Sequence, residues 1–193
     1  MSSRDKILAA IQANQPALSP LPEITIPQSE EGLVERFTAT ATAIGSKVFE
    51  IDSLSEIRDL IPQFFNSSFR VVSSFGELSG IAEVDISGFD PHTLENVELA
   101  ILGANIAVAE NAALWLPEEN TMQRVLPFIP QHLALVVSKK NLVPTMHEAY
   151  QKIGNSEYGY GVFIAGPSKT ADIEQSLVLG AHGPRSMTVF LTK

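Results

Sequence analysis

Two short strings near the C-terminus carry the residues best suited to chemistry: Gly166-Pro167-Ser168-Lys169-Thr170 and His182-Gly183-Pro184-Arg185. The first follows an apolar run and precedes a short amphipathic segment; a second apolar run follows the other string. That order predicts strand, turn, helix, polar turn, strand. A turn at a helix N-terminus offers backbone N–H groups and the positive end of the helix dipole, and both favour a bound anion. In that arrangement Gly166 opens the turn, Ser168 or Thr170 caps the helix and Lys169 adds charge. The helix terminus contributes about 0.3–1 kcal/mol, up to ~2 in a partly buried site. Tenfold affinity takes about 1.4 kcal/mol, so a side-chain cation has to help. An ordinary capped strand-to-helix turn accounts for the same residues equally well. Gly161 and Gly166 have the spacing of a nucleotide phosphate loop. In that motif Lys-Ser/Thr follows the second glycine at once, whereas Lys169 comes two residues late, so a nucleotide triphosphatase is rejected.

Arg185 has a planar donor fork suited to carboxylate or phosphate, and His182 can carry a proton near neutral pH. The alternative is an Arg185 paired with Asp172 or Glu174 and a His182 that merely occupies a turn. A helix normally leaves a sheet at the end opposite its entry. Arg185 therefore joins Lys169 only if the connection folds back or a second subunit supplies it. Glu110, flanked by Ala109 and Asn111 among apolar residues, is a candidate general acid or base, because burial raises a carboxyl pKa. A carboxylate bonded to backbone N–H groups in a tight turn is as good a reading. Arg124 and His132 flank a turn containing Pro127 and Pro130, and surface pairing explains Arg124 more often than catalysis does. His92, His132, His147 and His182 show no metal-ligand spacing, so no metal site is expected. Ser168 lacks the Gly-x-Ser-x-Gly surroundings of a hydrolase nucleophile.

The elements that must hold these residues are legible in outline. Ser2 to Asn14 reads as a helix with capping-box spacing between Ser2 and Asp5. Four prolines between Gln15 and Ser29 predict an extended arm laid over the domain or a neighbour. Helical periodicity runs from Glu30 to Ile44 and stops at Gly45. Residues 47–51 read as a strand, and Leu54 to Ile61 as a helix started by Ser53 and Glu56 and closed by Pro62. Arg70 to Ser73 is a strand. Val97 to Leu116 divides into three strand-like pieces at Gly103 and at Glu110-Asn111, although its alanine-rich middle also suits a helix. Leu133 to Val137 is a buried strand, and Thr145 to Ile153 a helix. Helices alternating with strands predict a single α/β layered domain with a mainly parallel sheet over residues 30–193, preceded by an N-terminal helix and arm over residues 1–29.

Length and charge bound the function. The 193 residues suit one domain with a proper core. A formal charge of −9 argues against non-specific binding to nucleic acid or an acidic membrane surface. Any anion site must be made locally. Without cysteine the chain alone holds no disulfide, cysteine nucleophile or iron–sulfur cluster. Redox work therefore calls for a partner or a bound cofactor. No signal peptide or membrane span is evident, and a cytoplasmic protein is expected.

The run Gly166 to Glu174, followed by Leu179-Gly180-Ala181-His182-Gly183-Pro184-Arg185, resembles the C-terminal signature of the LUD-domain family, in its lactate utilization protein C (YkgG-like) group. Ile106 to Leu116, Arg124 through Leu126-Pro127, and His132 resemble that family's central region more loosely. The resemblance implies a fold like that of the NagB/RpiA/CoA-transferase superfamily and a bacterial role in oxidising L-lactate to pyruvate. It also implies partner proteins, one carrying iron–sulfur clusters, which the absence of cysteine here fits. Two positions depart from the family pattern: Asn111-Ala112 stands where Thr-Gly is usual, and Lys169 where arginine is usual. The resulting expectation is a subunit of an L-lactate utilisation system. Its small-carboxylate or cofactor-phosphate pocket would lie at Gly166–Thr170, with Arg185 as a further ligand and Glu110 or His182 as proton carrier. Two other readings stand beside it: an assembly protein that only docks, and a free-standing enzyme for a phosphorylated or CoA-linked substrate. The bound cofactor and the oligomeric state are left open.

Overall fold

The computed structural model describes residues 2–20, 22, 31–66, 68–86, 88–170 and 178–193. Its centre is a parallel sheet of five strands: β1 (Ser46–Glu50), β2 (Val71–Ser73), β3 (Leu99–Gly103), β6 (His132–Ser138) and β9 (Ser186–Thr192), in the order β1-β9-β6-β3-β2. Each strand is apolar on both faces, as a parallel sheet covered on both sides requires. Leu99, Ile101, Ala134, Val136 and Phe190 point to one face, where Ile57 and Ile61 of helix α3 (Ser55–Phe64) cover them. Ala100, Leu102, Leu133, Leu135, Val189 and Leu191 point to the other.

That second face is covered by another sheet, in the order β7-β4-β5-β8, made of β4 (Ile106–Val108), β5 (Leu114–Pro117), β7 (Leu142–Val143) and β8 (Gly161–Ile164). Ala107, Leu114 and Leu116 face the parallel sheet, while Ile106, Val108, Ala113 and Trp115 face outward beneath Ala149 and Ile153 of helix α4 (Met146–Ile153). Helix α2 (Leu33–Ala43) adds Phe37 and Ala41 to the inner layer. The protein is therefore a layered α/β domain with a mainly parallel central sheet. Among the described residues, a helix directly links two strands of the parallel sheet in β1-α3-β2, and α4 links β7 to β8 of the second sheet. The returns from β3 to β6 and from β6 to β9 pass through the second sheet, because their short segments are apolar on both faces and suit a middle layer.

Three local expectations can be compared directly. Helix α1 (Ser3–Ala13) starts with the reciprocal Ser2–Asp5 capping box. Gly45, at φ 100°, follows α2 in a conformation that glycine tolerates best. Pro62, expected to close α3, lies inside it; the helix runs on to Phe64, and the Phe65 N–H still reaches the Ile61 carbonyl. So near the end, the proline removes one bond without stopping the chain's helical path. The helix expected after Thr170 falls mostly on residues 171–177, outside the described residues.

Candidate functional site

The register of the strands fixes where the sequence-predicted residues lie. Ser46 pairs with Met187, and His132 pairs with Ser186 and with Leu99, so Gly45, Gln131 and Arg185 all stand at the amino edge of the parallel sheet. The Gly166–Thr170 turn is carried to that edge by β8. Gly166 (φ 73°) packs so closely that an added Cβ would lie 3.1 Å from Ile44 Cδ1, and Pro167 and Lys169 Nζ flank Gly45. Residues 178–185 fold back onto the same turn. Lys169 and Leu179 form an antiparallel bridge, the Gly180 N–H donates to the Ser168 carbonyl, and Arg185 N–H donates to Gln131. The fold-back required for Arg185 to join Lys169 is thus present within one chain.

The same fold-back changes the chemistry of the turn. The Ser168 N–H donates to the Pro184 carbonyl at 2.8 Å, and the Thr170 N–H to the Val178 carbonyl at 3.2 Å. The Thr170 hydroxyl is bonded to Val178 as well. The open amides expected at Ser168 and Thr170 are therefore occupied, because the returning strand uses them as a sheet edge would. What remains for an anion is side-chain charge: Lys169 and Arg185 are exposed, and among the described residues neither forms an ion pair, while Asp172 and Glu174, the alternative partners of Arg185, lie outside the described residues. At the start of β1, next to Gly45, the Ser46 hydroxyl is buried and has no hydrogen-bond partner among the described residues. A buried hydroxyl without a partner costs free energy that a ligand or water can recover. Gly183 packs against Ser168, and His182 is exposed beside it.

Glu110 sits at the corresponding end of the second sheet, in the β4–β5 turn. Its Oε1 accepts the Met146 N–H at 2.7 Å at the start of α4, and Thr145 accepts Glu148 N–H as the helix cap. This is the bond to backbone N–H weighed above against an acid–base role, and it places a carboxylate at a helix N-terminus. Glu110 is exposed rather than buried, so the desolvation expected for a general acid is lacking. Arg124 pairs bidentately with Glu118 at 2.6 and 3.0 Å, and that partner holds the Glu118 carboxyl below its usual range.

A second region was not singled out from the sequence. At the carboxyl edge of the parallel sheet lies a cleft of about 560 Å³, lined among others by Asp52, Ser74, Phe75, Asn105, Asn120 and Ser138. Crevices outside the carboxyl ends of parallel strands are the usual ligand sites of open α/β sheets. Asn120 Nδ2 bonds Gly103 O at 3.2 Å and Asn105 Oδ1 at 2.6 Å, tying the floor together. Lys193 pairs with Asp52 at 2.9 Å. The signal was available in part: Ser74, Lys139 and Lys193 follow three of the five parallel strands.

Residues 90–192, more than half the chain, match the model of the LUD domain. The chain belongs to the LUD-domain family. Among its relatives, lactate utilization protein C of Exiguobacterium sp. is 28% identical over 184 residues, covering 86% of this chain and 80% of the relative. The protein of that name from Bacillus pumilus is 26% identical over 183 residues, covering 81% and 76%. That of Geobacillus thermodenitrificans is 36% identical over 96 residues, which is 47% of this chain and 40% of the relative. The crystal structure of a duf162 family protein from Deinococcus radiodurans superposes with a TM-score of 0.66 at 16% identity, over 86% of this chain and all of that one.

Within this LUD domain, Asn111-Ala112 lies in the turn between β4 and β5. Ala112 adopts φ 57°, in the left-handed region where glycine is at ease, and Asn111 Oδ1 accepts the Ala113 N–H at 3.0 Å. The turn is closed by the asparagine, and the alanine bears the strain. Among the described residues no group of acidic or histidine side chains is arranged to hold a metal, and no helix is long and apolar enough to cross a membrane.

Proposed function

We propose that this chain works in lactate utilisation as a subunit that binds a small carboxylate at the amino edge of its parallel sheet. The observation that carries the reading is the fold-back of residues 178–185 onto the Gly166–Thr170 turn. It sets the residues leading to Arg185 against the turn that carries Lys169, whose Nζ lies next to Gly45, and neither cation has an ion-pair partner among the described residues. Lactate as the ligand class is supported by the names of relatives that align over most of their length. In this reading Lys169 and Arg185 neutralise the carboxylate, Ser168 and Thr170 shape the turn, and His182 is the exposed proton carrier next to it. Glu110 anchors the neighbouring turn to α4. Electron transfer is assigned to iron–sulfur partner subunits, since this chain has no cysteine.

Calorimetric titration of the full chain with L-lactate, pyruvate and sulfate tests the proposal. Binding should weaken about tenfold in Lys169→Ala and in Arg185→Ala, the loss of about one charge-assisted contact. Unaltered binding in both variants removes the pocket. A docking role is favoured by one further feature. Helix α1 has no buried residue and exposes Ile7 (60%), Leu8 (49%) and Ile11 (57%) on one side, a stripe suited to a partner subunit. Deletion of residues 1–29 should abolish complex formation while leaving carboxylate binding intact.

A further inference from the structure

Three neighbouring strands carry cationic or potentially cationic side chains at the amino edge of the parallel sheet. Lys47 lies on β1, His132 opens β6 and Arg185 immediately precedes β9, so three adjacent strands deliver them. His132 is half-buried. Its ring stacks on Phe69 (centroids 5.7 Å apart, 13° between planes) and tilts against Phe65 at 4.9 Å. Its Nδ1 is 2.6 Å from Ser186 Oγ, which fixes the ring and leaves Nε2 without a partner among the described residues. Lys47 Nζ sits 4.7 Å from the centre of the Phe64 ring.

Among the described residues Lys47, His132 and Arg185 form no ion pair. Glu98, on the strand beside His132, contacts it through its carbonyl, which accepts the His132 N–H at 2.8 Å. Arg70, at the start of the next strand, is already paired with Glu83. From α3 and the loop after it come phenyl rings, while Glu56 bonds the backbone at the opposite end of the helix and Arg58 bonds the Glu77 carbonyl. Burial first, then Arg185 and Lys47, hold the imidazole below its usual pKa. In a chain of formal charge −9, three such groups on neighbouring strands, with no paired carboxylate among the described residues, attract an anion.

We infer that Lys47, His132 and Arg185, with Ser186, form a binding subsite for a doubly charged oxyanion of the phosphate class. Two permanent cations match its charge, the Ser186 hydroxyl and His132 Nε2 supply hydrogen bonds, and the phenyl rings exclude water from one side. The subsite shares Arg185 with the carboxylate site and does not include Lys169. Binding converts His132 to imidazolium, so the anion and a proton bind together.

The test is titration of the full chain with inorganic phosphate, followed by calorimetry and by NMR of the His132 imidazole across its titration. Bound phosphate should raise the apparent pKa of His132, and Lys47→Gln and His132→Gln should each weaken phosphate about tenfold. Lys169→Ala should leave phosphate binding within twofold, which separates this subsite from the carboxylate reading. A His132 titration unmoved by saturating phosphate, or wild-type affinity in Lys47→Gln, overturns the inference. The exposed position of Lys47 keeps that variant folded, and thermal unfolding checks it.

Discussion

Gly166→Ala probes the turn on which the proposed site is built. The residue adopts φ 73°, and a Cβ there would lie 3.1 Å from Ile44 Cδ1 and 3.2 Å from the Ile44 carbonyl oxygen. An L-residue in the left-handed region costs about 1–2 kcal/mol. Crowding against a backbone atom that cannot swing away adds a further ~1–3 kcal/mol. Alanine also restricts the unfolded chain, which returns about 0.4–1 kcal/mol. The net loss is about 1–5 kcal/mol, which for a chain of this length lowers the thermal midpoint by roughly 2–18 °C. Circular dichroism melts at fixed scan rate measure it. Gly76→Ala is the control, because nothing lies within 4 Å of its would-be Cβ, and it should stay within about 0.5 kcal/mol of wild type. A Gly166→Ala midpoint equal to that control would refute the packing argument, and with it the placement of the turn against α2.

Other perturbations have equally definite outcomes. Gly161→Ala places a Cβ 2.3 Å from the Trp115 ring, so the variant should lose about 2–3 kcal/mol and shift the emission of the only tryptophan; unchanged fluorescence argues against the contact. His132 has a folded pKa below its reference of 6.5 because burial and neighbouring cations disfavour the charged form. The unfolded chain then binds more protons between those two values, so stability is complete above about pH 6.5 and declines as pH falls through that interval. His132→Gln should flatten that part of the urea-midpoint profile, and an identical profile would show that another group is responsible. Glu110→Gln should cost about 0.5–1 kcal/mol through the weakened contact with the α4 N-terminus, read by chemical denaturation, with carboxylate affinity kept. A large affinity loss would instead return Glu110 to the site.

The layered domain was legible because its strands are short apolar runs with clear breaks. Leu133 to Val137 and the three pieces between Val97 and Leu116 appear within two residues of the positions read from the sequence. The route between them was not legible, since an apolar segment that faces two layers looks the same whether a helix or a second sheet connects it. The site shows the same division. The spacing of Gly166, Lys169 and Arg185 marked the turn and its charges, whereas the bonds from Ser168 to Pro184 and from Thr170 to Val178 depend on a fold-back that local pattern does not encode. The Lys47, His132 and Arg185 cluster was invisible for a related reason: strand order brings together residues from positions 47, 132 and 185. The carboxyl-edge cleft needed the same knowledge of order.

Mapping of backbone amide shifts during an L-lactate titration tests the central claim most directly. The account predicts that the perturbed amides cluster at residues 45–47, 166–170 and 182–186, along the amino edge. Shifts confined instead to residues 103–105, 118–120 and 137–138, around the carboxyl-edge cleft, would contradict it.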